Sequence, residues 1–169
     1  MSRLLLWLLP LLADQPQSLP PWISWVAGTR TVTLNLTAGA TSANGGWNFN
    51  GASHGDLTVT VPVGVKVVVD FVVNDASAPH SVGFVSPEES MPSSGDGVTF
   101  IAPGAFSAPF VRGLGRGQTQ RFSFTVDRAG GYWMFCGVPP HGVGGMWNHF
   151  VVSATAKGPS VRTAKRKSS

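Results

Sequence analysis

The chain has 169 residues, a length that suits one domain with a hydrophobic core and is short for two. Charged residues make up only 12% of it, whereas glycine (21) and proline (13) are abundant, which favours short strands joined by turns over long helices. The net charge of +4 does not indicate a nucleic-acid partner, because five of the twelve basic residues lie in the last thirteen positions and most of the chain is mildly acidic.

The chain begins with a basic and apolar segment. Residues 1–13 combine Arg3, an apolar run and Ala13, which is the pattern of a signal peptide or of a short apolar N-terminal segment. The run is too short to span a hydrocarbon core of about 30 Å, although residues 22–26 extend the apolar character and leave an uncleaved anchor as the alternative. We expect an exported protein, periplasmic, extracellular or at the outer face of the cytoplasmic membrane, with residues 14–29 as a linker.

The folded domain is expected to cover residues 30–156. Its apolar patterns predict strands at residues 31–37, 57–61, 65–73, 81–85, 121–126, 132–136 and 148–153. The run at 65–73 is almost continuously apolar and should lie centrally in a sheet. Short strands separated by turn residues predict an all-β fold, a two-sheet Greek-key β-sandwich with mainly antiparallel strands.

Two segments lack this periodicity. Residues 87–120 are rich in serine, glycine and proline, and only residues 98–101 could form a strand there. We expect a loop of that length to cover part of a functional site; the alternative is a surface insertion without a functional role. Residues 157–169 are predicted to be a basic, disordered tail, with a weak contact to an anionic membrane or wall polymer as the functional alternative.

The residues with the clearest chemistry lie near the C-terminus. Cys136 is the single cysteine, so no intramolecular disulfide can form. His141 and Met146 follow it in the spacing C-x4-H-x4-M, and His80 stands at the entrance of a predicted strand. Two imidazoles, a thiolate and a long axial thioether form the ligand set that copper selects. Each residue has an ordinary structural interpretation when taken singly, and zinc is the weaker metal because a thioether binds it poorly.

The strand before Cys136 also predicts the surroundings of the metal. Side chains two residues apart share a face, so Met134 should lie in the core beneath Cys136 and Phe135 on the opposite face, under residues 87–120. Ser81 is expected to make a hydrogen bond that ties the two ligand segments together. The predicted neighbours of the metal are Ser81, Met134, Pro139 and Trp147.

The loop CGVPPHGVGGM at residues 136–146 and the segment APHS at 78–81 resemble the blue copper (cupredoxin) family, and their spacing is similar to its rusticyanin and sulfocyanin branch. The segments NFNG at 48–51 and GDLTVTVPVG at 55–64 resemble the sulfocyanins in particular. The resemblance covers residues 31–153. Sulfocyanins commonly carry an N-terminal membrane segment, which residues 4–12 do not match.

The resemblance implies a sandwich of about eight strands and electron transfer outside the cytoplasm. One type 1 copper per chain would be held by His80, Cys136, His141 and Met146. His141 would reach the surface through an apolar patch where a partner docks. The two remaining histidines, His54 and His149, do not match ligand positions and are expected to have turn and surface roles.

An electron carrier is favoured over an enzyme. Multicopper oxidases and copper nitrite reductases place a histidine directly before the copper-bound cysteine, where this chain has Phe135, and four protein ligands leave no open position for a substrate. The first alternative is an extracytoplasmic copper-binding or delivery protein without redox turnover. A copper oxidoreductase is a less favoured second alternative. Expected partners are redox proteins such as cytochromes or a terminal oxidase. We expect a monomer that binds no nucleic acid, with peripheral membrane association as an option.

Overall fold

The computed structural model describes residues 18–164. They form nine strands and two short 3-10 turns, and these residues contain no α-helix. None of the helical segments among them is long and apolar enough to cross a membrane. The strands are β1 (Ile23–Val26), β2 (Thr31–Ala38), β3 (Leu57–Pro62), β4 (Val65–Val73), β5 (Gly83–Val85), β6 (Thr119–Val126), β7 (Gly130–Phe135), β8 (Trp147–Ser153) and β9 (Ser160–Thr163).

The strands are arranged in two sheets, which confirms the predicted β-sandwich. One sheet has the order β1-β2-β4-β6 and the other the order β5-β7-β8-β3-β9. Strand β4 lies between β2 and β6, as its continuous apolar run predicts. The strands are not all antiparallel, since β2 pairs with β4 and β3 with β8 in parallel. Parallel partners need a crossover connection, and here the chain passes through the opposite sheet between them.

The main core fills the space between the sheets. Alternate residues of β2 and β3 face inward, and the aromatic rings of Phe84, Phe124 and Phe150 meet at its centre with centroid separations of 4.8 and 4.9 Å. Each fully buried aliphatic or aromatic side chain contributes about 1.5–3 kcal/mol relative to an exposed one. This core, and not a disulfide, holds the sandwich together.

A second apolar cluster lies outside the sandwich, beneath residues 87–120. Phe135 is fully buried there, with Val85 and Phe110 as its buried neighbours and Trp133 at the margin. The long loop therefore covers the outer face of β7, as the alternation before Cys136 predicts. The candidate strand at 98–101 is reduced to an isolated bridge between Phe100 and Val85.

The ends of the domain differ from the predicted boundaries. The linker expected at 14–29 contains β1, which pairs with β2 and whose apolar residues complete that sheet. The tail expected to be disordered from residue 157 contains β9, which pairs with the edge of β3 and packs Val161 against the core. The predicted signal segment at 1–13 and residues 165–169 lie outside the described part of the chain.

Candidate metal centre

Three of the predicted ligands lie in the tight connection between β7 and β8. Cys136 follows the last residue of β7, and Met146 precedes the first residue of β8. Their main chains are hydrogen-bonded to each other, from the Cys136 N–H to the Met146 carbonyl at 3.1 Å, and the Met146 N–H donates to the His141 carbonyl at 2.8 Å. Cys136 and Met146 are fully buried, and His141 is 4% exposed. The connection thus fixes three potential ligands at one pole of the sandwich.

The fourth predicted ligand comes from the segment between β4 and β5. His80 is fully buried and is held by two main-chain hydrogen bonds with Leu114, of 2.9 and 2.7 Å. Leu114 belongs to the long loop. The loop therefore fixes the main chain of His80 as well as covering the outer face of β7.

The ligand atoms of His80, Cys136 and His141 all lie within 4.8 Å of one another. The Cys136 Sγ is 3.6 Å from the His141 Nδ1, and the two imidazole rings are 4.8 Å apart. The Nδ1 of His80 is buried and has no hydrogen-bond partner among residues 18–164. A buried polar atom normally has a partner. Because this one lies beside a thiol and an imidazole, the group fits a metal ion.

The buried thiol of Cys136 is protonated and is therefore not a reactive nucleophile by itself. Burial raises the pKa of Cys136 to about 11, although hydrogen bonds from Ser81 and from the main chain of Val138 oppose that rise. The thiol therefore keeps its proton at neutral pH, and a metal ion must displace it.

Both imidazoles are neutral at neutral pH. Burial lowers the pKa of His141 to about 4, with repulsion from His80 adding to the effect. Burial also lowers the pKa of His80, while the neighbouring Asp75 opposes the shift. Neutral imidazole is the form that coordinates a metal, so both rings have a lone pair available.

Ser81 connects the two ligand segments. Its Oγ accepts a hydrogen bond from the Gly137 N–H at 3.0 Å, and its own N–H points to the Cys136 Sγ at 3.5 Å. Its hydroxyl lies 3.9 Å from the same sulfur. Ser81 thus makes the link that the sequence predicts and adds donors around the sulfur.

The other predicted neighbours lie at different depths. Met134 is fully buried in the main core on the same face of the chain as Cys136. Pro139 is exposed, and the buried Val138 beside it contacts the sulfur through its main chain. Trp147 is half-buried and packs with Trp133 in the second cluster, on the other face of the sheet.

Two further residues of the site have no signal in the ligand motif. Trp47 stacks on the His141 ring with centroids 4.2 Å apart and planes 28° apart. Asp75 accepts a hydrogen bond from the His80 Nε2 at 2.8 Å. The ring of His141 is therefore covered by Trp47, and the exposed apolar patch expected around it consists of neighbours such as Val143, which is 54% exposed.

The remaining histidines stand apart from the group of close ligand atoms, which consists of His80, Cys136 and His141 among the described residues. His54 has a left-handed conformation (φ 56°) in a turn, and its N–H donates to the Gly145 carbonyl. His149 is exposed on β8, where its ring meets Trp147 edge-on.

Comparison with known proteins identifies the family. A family model described as "Sulfocyanin (SoxE) domain" matches residues 21–162. The chain belongs to the sulfocyanin (SoxE) domain family. The sulfocyanin of Sulfolobus acidocaldarius is 30% identical over 138 residues, which cover 79% of this chain and 69% of that protein.

Solved structures agree on the fold of this sulfocyanin-family chain. The reduced auracyanin of Roseiflexus castenholzii superposes with a TM-score of 0.52 and 20% identity, covering 72% of this chain and 96% of the other. Auracyanin A of Chloroflexus aurantiacus, described as a blue copper protein, gives 0.50 and 20% over 73% and 99%. As a member of its family, the protein is a blue copper electron-transfer protein that carries one copper and exchanges electrons with redox partners.

Proposed function

We propose that this sulfocyanin-family protein binds its copper through the Nδ1 atoms of His80 and His141, the Sγ of Cys136 and the Sδ of Met146, and that it carries single electrons between partners outside the cytoplasm. The observation that carries the proposal is the buried Nδ1 of His80, which has no partner among the described residues and lies beside the Cys136 thiol and the His141 ring.

The donor set decides the metal and the chemistry. A thiolate and a thioether are soft ligands that suit Cu(I), whereas imidazole serves both oxidation states. Bound copper supplies a one-electron Cu(II)/Cu(I) couple. The residues Cys136 and Met146 are held by main-chain hydrogen bonds to the same loop, so the ligands have little freedom to rearrange when the charge changes. Zinc is disfavoured because the fourth donor is a thioether.

The burial of the ligands argues against catalysis and against copper delivery. Four protein ligands at a site with three fully buried members and one that is 4% exposed leave no open position for a substrate. The residue before Cys136 is Phe135, which lies beneath the long loop, and not a histidine that could lead to a second copper. A delivery protein needs exchangeable ligands at its surface, which these four are not.

The electron is expected to leave near His141. Its ring is covered by Trp47, and Val143, Pro139 and Pro140 are exposed beside it. Apart from His141, the connection between β7 and β8 contains no acidic or basic residue. A small uncharged patch suits a brief redox encounter, because such an interface forms and separates quickly.

The location and the partners follow from chemistry and from the sequence. The basic and apolar pattern of residues 1–13 supports export to the periplasm, the extracellular space or the outer face of the membrane. The partners would be redox proteins such as cytochromes or a terminal oxidase, with the protein acting as a monomer that is free or peripherally attached to the membrane.

Loading the copper-free protein with Cu(II) tests the ligand assignment. Wild type should bind one copper per chain and turn intensely blue, because a thiolate-to-Cu(II) transition absorbs visible light. Cys136→Ser should fold and stay colourless, and the matched control His149→Ala, which removes an exposed histidine, should stay blue. A blue Cys136→Ser protein would refute the assignment.

A further inference from the structure

We propose that Asp75 is an anionic positioning residue for the copper centre: its carboxylate holds the proton of His80 on Nε2, which turns the Nδ1 lone pair toward the metal, and its charge favours Cu(II) over Cu(I). The inference rests on the proposed function, because it concerns the ligand His80. It adds a residue that neither the ligand motif nor the fold predicts.

The contact between Asp75 and His80 is close and shielded. The Oδ2 of Asp75 lies 2.8 Å from the Nε2 of His80, and the side chains are 8% and 0% exposed. A surface ion pair contributes little because water screens it, but this contact is almost fully removed from water.

The carboxylate is held in place from three sides. Its Oδ1 accepts hydrogen bonds from the N–H and the hydroxyl of Ser77 at 2.7 and 2.6 Å. Two glycines in left-handed conformations also pack against Asp75. A Cβ on Gly46 would come within 2.9 Å of the Oδ2, and a Cβ on Gly39 would come within 2.6 Å of the Asp75 Cβ. Asp75 thus accepts three hydrogen bonds and can keep one geometry.

The N–H and the hydroxyl of Ser77 both donate to Oδ1, and the Nε2 of His80 faces Oδ2. A carboxylate that only accepts is the ionised form, and its partner nitrogen must carry the proton. The two hydrogen bonds from Ser77 to Oδ1 favour the ionised form of the carboxyl group. His80 is consequently fixed as the Nε2–H tautomer, in which Nδ1 is free to coordinate. Ligating histidines commonly donate their second ring N–H to such a group.

The charge has a separate consequence for the redox balance. Copper(II) with a thiolate has one more positive charge than copper(I) with a thiolate. A fixed negative charge one imidazole away stabilises the oxidised form more, and so it favours Cu(II). A neutral acceptor in the same place would orient His80 equally well without this effect. Orientation and charge can therefore be separated by mutation.

The variant Asp75→Asn retains a carbonyl acceptor and removes the charge. We expect it to stay blue and to shift the Cu(II)/Cu(I) equilibrium at least tenfold toward Cu(I), which is about 59 mV for one electron. The control Asp127→Asn removes an equal charge from an exposed position at the opposite pole, because Asp127 follows the residue that pairs with the first residue of β4. A shift in Asp75→Asn no larger than in Asp127→Asn would overturn the charge effect.

The tautomer of His80 can be measured in the copper-free protein, which separates it from the copper chemistry. Nitrogen-15 chemical shifts of the wild-type, copper-free protein should show the His80 proton on Nε2, and Asp75→Leu should give a mixture of tautomers. A wild-type proton on Nδ1 would overturn the positioning role. Wild-type protein that binds copper without turning blue would instead contradict the proposed function, while the tautomer of the copper-free protein would still test Asp75.

Discussion

Replacing Ser81 by alanine should weaken both the fold and the copper centre. The Oγ of Ser81 is fully buried and accepts the Gly137 N–H at 3.0 Å. Without it, that buried N–H has no acceptor, which costs about 1–3 kcal/mol. For a chain of this size, a loss of about 2 kcal/mol lowers Tm by about 4–8 °C. The substitution also removes a hydroxyl that lies 3.9 Å from the Cys136 Sγ, while the Ser81 N–H remains at 3.5 Å.

The chain offers a matched control in Ser107. Its Oγ is also fully buried and accepts the Val82 N–H at 3.0 Å, but it does not bond to Cys136. Thermal unfolding should show similar losses in Ser81→Ala and Ser107→Ala. The reduction potential should fall only in Ser81→Ala, because fewer donors around the thiolate make it a stronger donor to Cu(II). Equal potentials in the two variants would refute a role for the Ser81 hydroxyl at the sulfur.

Three further predictions concern the axial ligand, the docking patch and acid stability. Met146→Gln should lower the reduction potential in voltammetry, since a harder axial ligand favours Cu(II), and an unchanged or higher value would count against Met146 as the ligand. Val143→Asp should slow electron exchange with a partner while the visible spectrum stays unchanged, and wild-type exchange should depend weakly on ionic strength; undiminished exchange would move docking elsewhere, such as to the long loop. In the copper-free protein, His141 has a pKa of about 4 in the folded state and of 6.5 in the unfolded state. Between these pH values the unfolded chain therefore binds a proton at His141 and the folded protein does not. The contribution of His141 should therefore lower the free energy of unfolding by roughly 3 kcal/mol between those pH values and add no further loss below them, at about 1.4 kcal/mol per pKa unit. Denaturant unfolding against pH measures this slope, and His141→Gln should reduce it; an equal slope in that variant would contradict the assignment.

The grouping of the proposed ligands could be predicted because three of the four are encoded locally. Cys136, His141 and Met146 lie in one short connection, so their spacing already limits how far apart they can be. His80 had only to lie at the same end of the sandwich as this connection. Its position just before a predicted strand placed it at a strand end and so favoured this. Alternation along β7 likewise placed Met134 inward and Phe135 outward correctly.

The residues around the ligands depend on the tertiary fold. Trp47 contacts His141 from a turn that is distant in the sequence, and no periodic pattern predicts such a contact. Asp75 lies five residues before His80, but its position depends on close packing against Gly39 and Gly46, which belong to another segment of the chain. An aspartate two residues before a serine is typical of a turn in which the carboxylate accepts a hydrogen bond from the main chain. This pattern predicts a fixed carboxylate at Asp75 but not its contact with His80.

The edge strands were missed for a related reason. Residues 160–163 form β9 only because β3 offers an unpaired edge, and three of the four are mostly exposed, so they carry little apolar signal. Segment 23–26 was hidden by the proline pair before it and by its proximity to the N-terminal apolar run. The parallel pairing of β2 with β4 joins strands that are separated along the chain by a strand of the other sheet, which strand patterns by themselves do not specify.

The most direct test of a blue copper carrier is X-ray absorption at the copper edge of the loaded protein in both oxidation states. One short copper–sulfur distance and two copper–nitrogen distances should be present in Cu(II) and should change little on reduction, because the fold holds the ligand atoms of His80, Cys136 and His141 within 4.8 Å of one another. Copper surrounded only by nitrogen and oxygen, or a coordination shell that rearranges on reduction, would contradict the account.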